Sequence, residues 1–320
     1  MTITVYKSSD ASAPVLTGQA GAAAGVLDAC LVNGYGSKAA AGWGVAFTGT
    51  NTRAYRPASG NRLYLSVDDT GTTSCRTSGF EVMTGVLTGT GQFPTAAQVS
   101  GGLFTLKSAT ADATARPWMV IADATFAYVF FFAAQTVLTN TSTNDGMLMF
   151  GDLISNASGD AYGTLIMSQA VVAVGAGNTS GSVSYAPAFA AAVGHYVPRL
   201  YTQTGTAQQV VKVCATRSAN SAPGGFGNDT LAPNFPDPVT GGATLEEVFI
   251  MENAALPVTR GKIPGLYNLL HNPTSLATAY TNLDTINGTG IYAGNTYTLV
   301  NLWAFNVKDY AAIQTTGTWA

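Results

Sequence analysis

The patterned segments of this chain mostly alternate apolar and polar positions with a period of two. That period puts successive side chains on opposite faces of a strand. The most apolar run is FAYVFFFAAQTVL, residues 126–138. It is 13 residues long and carries Gln135, whereas a membrane-spanning helix needs roughly 20 apolar residues. Read as a strand, it sends Phe126, Tyr128, Phe130 and Phe132 one way and Ala127, Val129, Phe131 and Ala133 the other. Both faces are apolar, so both are expected to be covered. The expected place is a central core strand; the alternative is that one face meets another subunit.

Similar reasoning along the chain predicts a mainly β protein. PWMVIAD, 117–123, is the expected neighbour of the aromatic strand, with Ala124-Thr125 as the turn between them. RLYLSVD (62–68), GLFTLKS (102–108), MLMFGDLI (147–154), YGTLIMS (162–168) and QQVVKVCAT (208–216) are further strands. GVLDACLVNG, 25–34, has helical spacing instead. Val26, Leu27, Cys30 and Leu31 share one face, and Gly34 can end the helix. Residues 221–242 are rich in Pro and Gly and read as a long loop or connection. Beyond them, LEEVFIMEN and GIYAGNTYTLVNLWAF read as strands, with Gly294-Asn295 as a two-residue hairpin turn. The expected fold is a β-sandwich or barrel-like larger region with one short N-terminal helix and a smaller β-rich C-terminal unit. The expected divisions are 1–220, a connection over 221–245, and 246–320.

Composition changes the picture in one respect. Charged residues are 10% of the chain, against roughly 25% in ordinary soluble proteins. Aromatics are plentiful, with 14 Phe, 14 Tyr and 4 Trp, so the low charge belongs to a folded chain rather than a disordered one. The 14 basic and 17 acidic residues include no adjacent pair of Lys or Arg. Nucleic-acid binding needs clustered cations and is not expected. Cys30, Cys75 and Cys214 are odd in number and far apart. They read as free thilos of a chain made in a reducing cytoplasm, and MTITVYKSSDASAP is not a secretory leader. The sequons at Asn140, Asn156 and Asn178 are then products of composition.

Candidate chemistry is sparse. Asp69-Thr70-Gly71 is the aspartic-protease triplet, but that chemistry needs two carboxylates sharing a proton and the chain has one copy. A turn explains D-D-T-G, with Asp69 as a turn residue that Asn could replace. Gly34-Tyr-Gly36-Ser-Lys38 lacks the full phosphate-loop spacing and follows a helix, so it reads as a helix stop and turn. Asp152 and Asp160 bracket a loop. They could be a glycosidase pair or Ca²⁺ ligands, though turn residues explain them most simply. His195 and His271 have no metal-ligand spacing, and no G-x-S-x-G elbow is present. Tyr292, Tyr297 and Trp303 could form an exposed carbohydrate platform or part of a small core. No catalytic, cofactor-binding or metal residue is assigned, and enzyme function is not expected.

Three segments resemble proteins of tailed bacteriophages: PVLTGQAGAAAGVLDACLVNGYGSKAAAGW (14–43), PWMVIADATFAYVFFFA with MLMFGDLISNASGDAYGTLI (within 117–166), and TRGKIPGLYNLLHNP (259–273) with the ending TTGTW. Together they are similar to virion structural proteins of phages infecting Gram-negative bacteria, in scattered blocks over most of the chain. The resemblance implies a particle component, in capsid decoration or in the tail or baseplate. It implies partners among other copies of itself and other virion proteins, with no membrane insertion. Gly151-Asp152 and Asp160 would be structural turn residues, and no catalytic residue transfers. A carbohydrate- or receptor-binding tail module contacting a host-surface glycan is the alternative. A polysaccharide depolymerase using Asp152 and Asp160 is a third.

Overall fold

A computed structural model describes residues 2–137, 145–168, 195–201, 210–214, 234–252, 258–271, 273–301 and 310–319. The chain is mainly β. It opens with β1 (Thr4–Lys7) and α1 (Ala22–Leu27), which continues as a π-helical turn over Asp28–Asn33. A meander follows: β2 (Gly44–Gly49), β3 (Thr52–Arg56), β4 (Tyr64–Asp68), the long β5 (Ser74–Gly85), β6 (Thr88–Phe93) and β7 (Leu103–Leu106). The middle of the chain holds β8 (Trp118–Ala122), β9 (Phe126–Phe131), β10 (Gly146–Asp152), β11 (Ile154–Ser155), β12 (Thr164–Ser168), β13 (His195–Tyr196) and β14 (Val210–Cys214). The last part holds β15 (Leu245–Glu252), β16 (Thr259–Leu269), α2 (Pro273–Ala279), β17 (Thr285–Asn287), β18 (Thr296–Asn301) and β19 (Tyr310–Gln314).

These strands make two antiparallel sheets. The smaller runs β2-β3-β4-β5-β6, with β7 also on β5. The larger runs β1-β8-β9-β10-β12-β13-β14-β15-β16-β19-β18-β17, with β11 on β16. The larger sheet therefore crosses the expected division. Strand β14 pairs with β13 on one side and β15 on the other. Of the 221–245 connection, residues up to 233 lie outside the described residues.

The aromatic strand is where the alternation places it. β9 is hydrogen-bonded to β8 and β10, and every residue of it is buried. Its two faces feed different cores. Ala127, Val129 and Phe131 pack with Tyr55, Leu65 and Val67 of the smaller sheet and with the α1 residues Val26 and Leu27. Phe126, Tyr128 and Phe130 pack with Val248, Ile250, Ile263, Leu266 and Ile313 of the C-terminal strands. The larger sheet thus doubles back on itself, and β9 lies in the middle layer. Trp319 closes that second core edge-on to Phe126 and Tyr128, at centroid distances of 6.1 and 5.6 Å. A third, smaller core around Tyr267, Leu276, Tyr297 and Leu299 serves β15 to β19.

The expected turn at Ala124-Thr125 is held by Asp123. Its Oδ1 accepts from the amides of Thr125 and Phe126 at 2.7 and 2.8 Å. Gly151 faces Phe126 across the β9–β10 ladder with φ 145°. A Cβ there would lie 2.3 Å from Thr125 O, so only glycine allows this approach. The predicted helix face of Val26, Leu27, Cys30 and Leu31 is buried, and Gly34 ends the helix with φ 76°.

One expectation is corrected. Gly294-Asn295 is not a two-residue hairpin turn, because residues 290–292 form a 3₁₀ turn rather than a strand. The strand paired with β18 is β17, with Ile286 opposite Tyr297. Gly290 and Gly294, at φ 58° and 90°, turn the intervening loop. The Tyr292 hydroxyl ties it down by donating to Leu245 O at 3.2 Å.

Candidate functional site

Three sets of interior polar contacts are built on charged residues. The first begins where β4 ends. Asp68, not Asp69, performs the local turn: its Oδ1 accepts from the Thr70 amide and hydroxyl. Asp69 points inward with no solvent exposure and pairs with Lys107, also fully buried. Lys107 Nζ donates in addition to Gln19 O at 2.7 Å and Gly71 O at 2.9 Å. The Ala24 amide donates to Asp69 Oδ2 at 3.0 Å. Burial pushes the Asp69 carboxyl above its usual range, against the opposing pull of Lys107. Asp69 is therefore an interior residue. Replacement by Asn is not the neutral turn substitution that D-D-T-G suggests, because it removes the carboxylate that faces Lys107.

The second cluster joins β12's approach loop to β16 and β15. Arg260 Nε and Nη2 donate to the two oxygens of Asp160 at 2.5 and 2.6 Å. Its Nη1 donates to Glu252 Oε1 at 2.5 Å and to Arg199 O at 3.0 Å. Asp160 also accepts from Ser155 Oγ and the Tyr162 amide. Burial works against its charged form, but the hydrogen bonds and charge of Arg260 outweigh that and hold the carboxyl below the usual range. A nearby bidentate pair, Arg199 with Glu81, ties the β13 end to β5 of the smaller sheet.

Asp152 forms the third. Its carboxylate accepts from the Asn61 amide and the Thr164 hydroxyl, each at 2.5 Å. Burial, with Asp160 and Asp123 adding repulsion, raises its carboxyl above the usual range. Asp152 and Asp160 are thus engaged in different networks, each joining segments about 100 residues apart. No group of three or more potential metal ligands occurs among the described residues.

The remaining candidates are also engaged. Lys38 donates to Val5 O at 2.8 Å and bridges back to Tyr35, so the Gly34–Lys38 segment is a closed turn. His195 sits inside the larger sheet opposite Met167 and Val211. His271 Nε2 accepts from the Thr244 amide at 2.8 Å, with Phe235 edge-on to its ring. Tyr297 is buried and Tyr292 packs edge-on to Tyr267; Trp303 lies outside the described residues. Cys30 and Cys75 are free and buried in one core, while nothing is described of the Cys214 side chain. Lys107, Glu252 and Arg260 carry the networks, yet no motif marks them. The one local signal is at Lys107, an isolated charge beside the apolar run LFTL.

No helix among the described residues is long and apolar enough to cross a membrane. No protein-family model matches the chain, and no curated protein matches it.

Proposed function

We propose that this chain is a non-enzymatic structural component of a tailed-phage virion, in capsid decoration or in the tail or baseplate. The resemblance of its three segments to virion proteins supports the phage assignment. The observation that carries the structural role is the distribution of charge and strand edges. Among the described residues seven charged residues are buried, including Asp69, Lys107, Asp160, Glu252 and Arg260, so part of an already small set of charges is taken from the surface. Three of the four end strands of the two sheets, β2 (GVAFTG), β6 (TGTGQF) and β17 (TIN), contain no charged residue; the fourth, β1 (TVYK), ends in Lys7. Open edges offer unpaired N–H and C=O groups, and natural proteins commonly guard them with Lys or Pro. Register shifts occur in β2 at Val45/Phe47 and in β5, beside β6, at Met83/Gly85, but no charged residue lies in β2 or β6 themselves. Such edges suit a protein that joins neighbours through backbone and apolar contacts.

Of the three aromatics of the carbohydrate-binding reading, Tyr297 faces the interior and does not support an exposed platform. The depolymerase reading requires free carboxylates, and Asp160 is bound on both oxygens by Arg260. The test is peptide mass spectrometry on purified particles of the encoding phage, with heads and tails separated. The chain is expected in every preparation of intact particles and in one of the two fractions. Its presence in infected-cell lysate but not in particles would overturn the proposal.

A further inference from the structure

The interior pair beside the start of β5 brings an amine and a carboxyl group into contact away from solvent. Asp69 follows β4 and Lys107 follows β7, and these strands lie on opposite sides of β5. Both residues are fixed through their backbones. The Asp69 amide donates to Asn51 O, and its carbonyl accepts from Gly21 N, each at 2.9 Å. The Lys107 amide donates to Thr73 O at 2.9 Å. Neither side chain is exposed to solvent.

An ammonium group has three hydrogens, and Lys107 Nζ has three acceptors: Gln19 O, Gly71 O and the Asp69 carboxylate. If the third hydrogen moves to Asp69, the other two stay on the carbonyls. The lone pair left on Nζ then points at the Asp69 carboxyl group. Away from water, a neutral acid and amine avoid the cost of holding two desolvated charges. The raised carboxyl of Asp69 agrees with that direction of transfer. The Ala24 amide on Oδ2 is placed to stabilise the negative charge that develops when the carbonyl carbon is attacked. Fixed, adjacent reactants remove much of the entropic barrier.

We propose that Lys107 and Asp69 form an intramolecular isopeptide bond. Nζ of the neutral amine adds to Cγ of the protonated carboxyl, making the C–N bond. One Nζ proton passes to the departing hydroxyl, the C–O bond breaks, and one water leaves. The product is a secondary amide that clips β4 to β7 across the start of β5. No oxidant, metal or cofactor is needed. The Nζ hydrogen that remains and the new carbonyl keep partners already in place, among them Gln19 O or Gly71 O and the Ala24 amide.

The test is the mass of the full-length chain, purified, reduced and denatured. The expected mass is one water below that of the sequence. Trypsin then locates the bond. Cleavage at Arg62, Arg76 and Arg199 should release one branched product, residues 63–76 joined to 77–199, because trypsin does not cut Arg116-Pro117 and an acylated Lys107 resists the enzyme. Lys107→Arg keeps the positive charge but not the amine, and should show the full mass and a linear 63–76 peptide. Full mass in the unaltered chain, with separate linear peptides 63–76 and 77–107, would mean an ion pair only and overturn the proposal. Water loss that maps elsewhere, such as Asp145-Gly146, would overturn it equally. The unaltered chain decides the matter even if the variant fails to fold.

Discussion

Replacing Arg260 with alanine is expected to lower folding stability by about 3–5 kcal/mol, the usual cost of stranding buried charges. Arg260, Asp160 and Glu252 have side-chain exposures of 1%, 2% and 0%. Removing the guanidinium leaves two carboxylates without their counter-charge. Lysine should not restore the loss, because one ammonium cannot serve both carboxylates in the forked geometry that arginine provides. The pH dependence has a definite sign. Asp160 is held below its usual range in the folded state. Its contribution to stability is therefore complete above the unfolded carboxylate range near pH 4 and lost as pH falls through the folded value. The penalty of Arg260→Ala, measured by denaturant unfolding at several pH values, should shrink in acid. A penalty under about 1 kcal/mol at neutral pH would place Arg260 with ordinary exposed ion pairs and contradict the buried network.

Phe130→Ala should be similarly costly, at about 3–5 kcal/mol, because a large-to-small change in a core loses transfer energy and leaves a cavity. Phe130 is buried and lies opposite Met119 on one side and Met147 on the other. Its face of β9 packs on the C-terminal strands, so the cavity would open between the two halves of the larger sheet. The denaturant midpoint should fall with the slope unchanged. A change within about 0.5 kcal/mol, typical of surface positions, would show that β9 is not a core strand.

The central strands were legible in the sequence because their burial on both faces leaves an unbroken apolar run. PWMVIAD, FAYVFFF and MLMFGD have few ways to be satisfied other than as neighbours in a covered sheet. The smaller sheet was less visible. GVAFTG and TGTGQF lie at its edges, where Gly and Thr give little contrast between inward and outward positions. The hairpin at Gly294-Asn295 misled for a related reason: a favourable turn dipeptide says nothing of a second strand's length, and Ile291 is 92% exposed. The charge networks were not legible at all. Asp69 meets Lys107 from 38 residues away and Asp160 meets Arg260 from 100. Local sequence explains an Asp by its nearest turn; at position 69 the turn belongs to Asp68 and the interior to its neighbour.

The interior clusters and the uncharged edges are two consequences of one composition. Some of the few charges lie inside, in pairs that fix distant segments, and the surface carries isolated apolar side chains such as Val82 and Ile291. Contacts made from such a surface should not depend on ion pairing. For the proposed virion role, the most direct measurement is to wash purified phage particles that contain this chain in about 1 M sodium chloride, where the screening length falls to roughly 3 Å, and to follow the chain by gel. Apolar burial and backbone hydrogen bonds survive that treatment, so the chain is predicted to stay with the particles. Its selective release by monovalent salt, with the rest of the particle intact, would mean that electrostatic contacts hold it and would contradict the account.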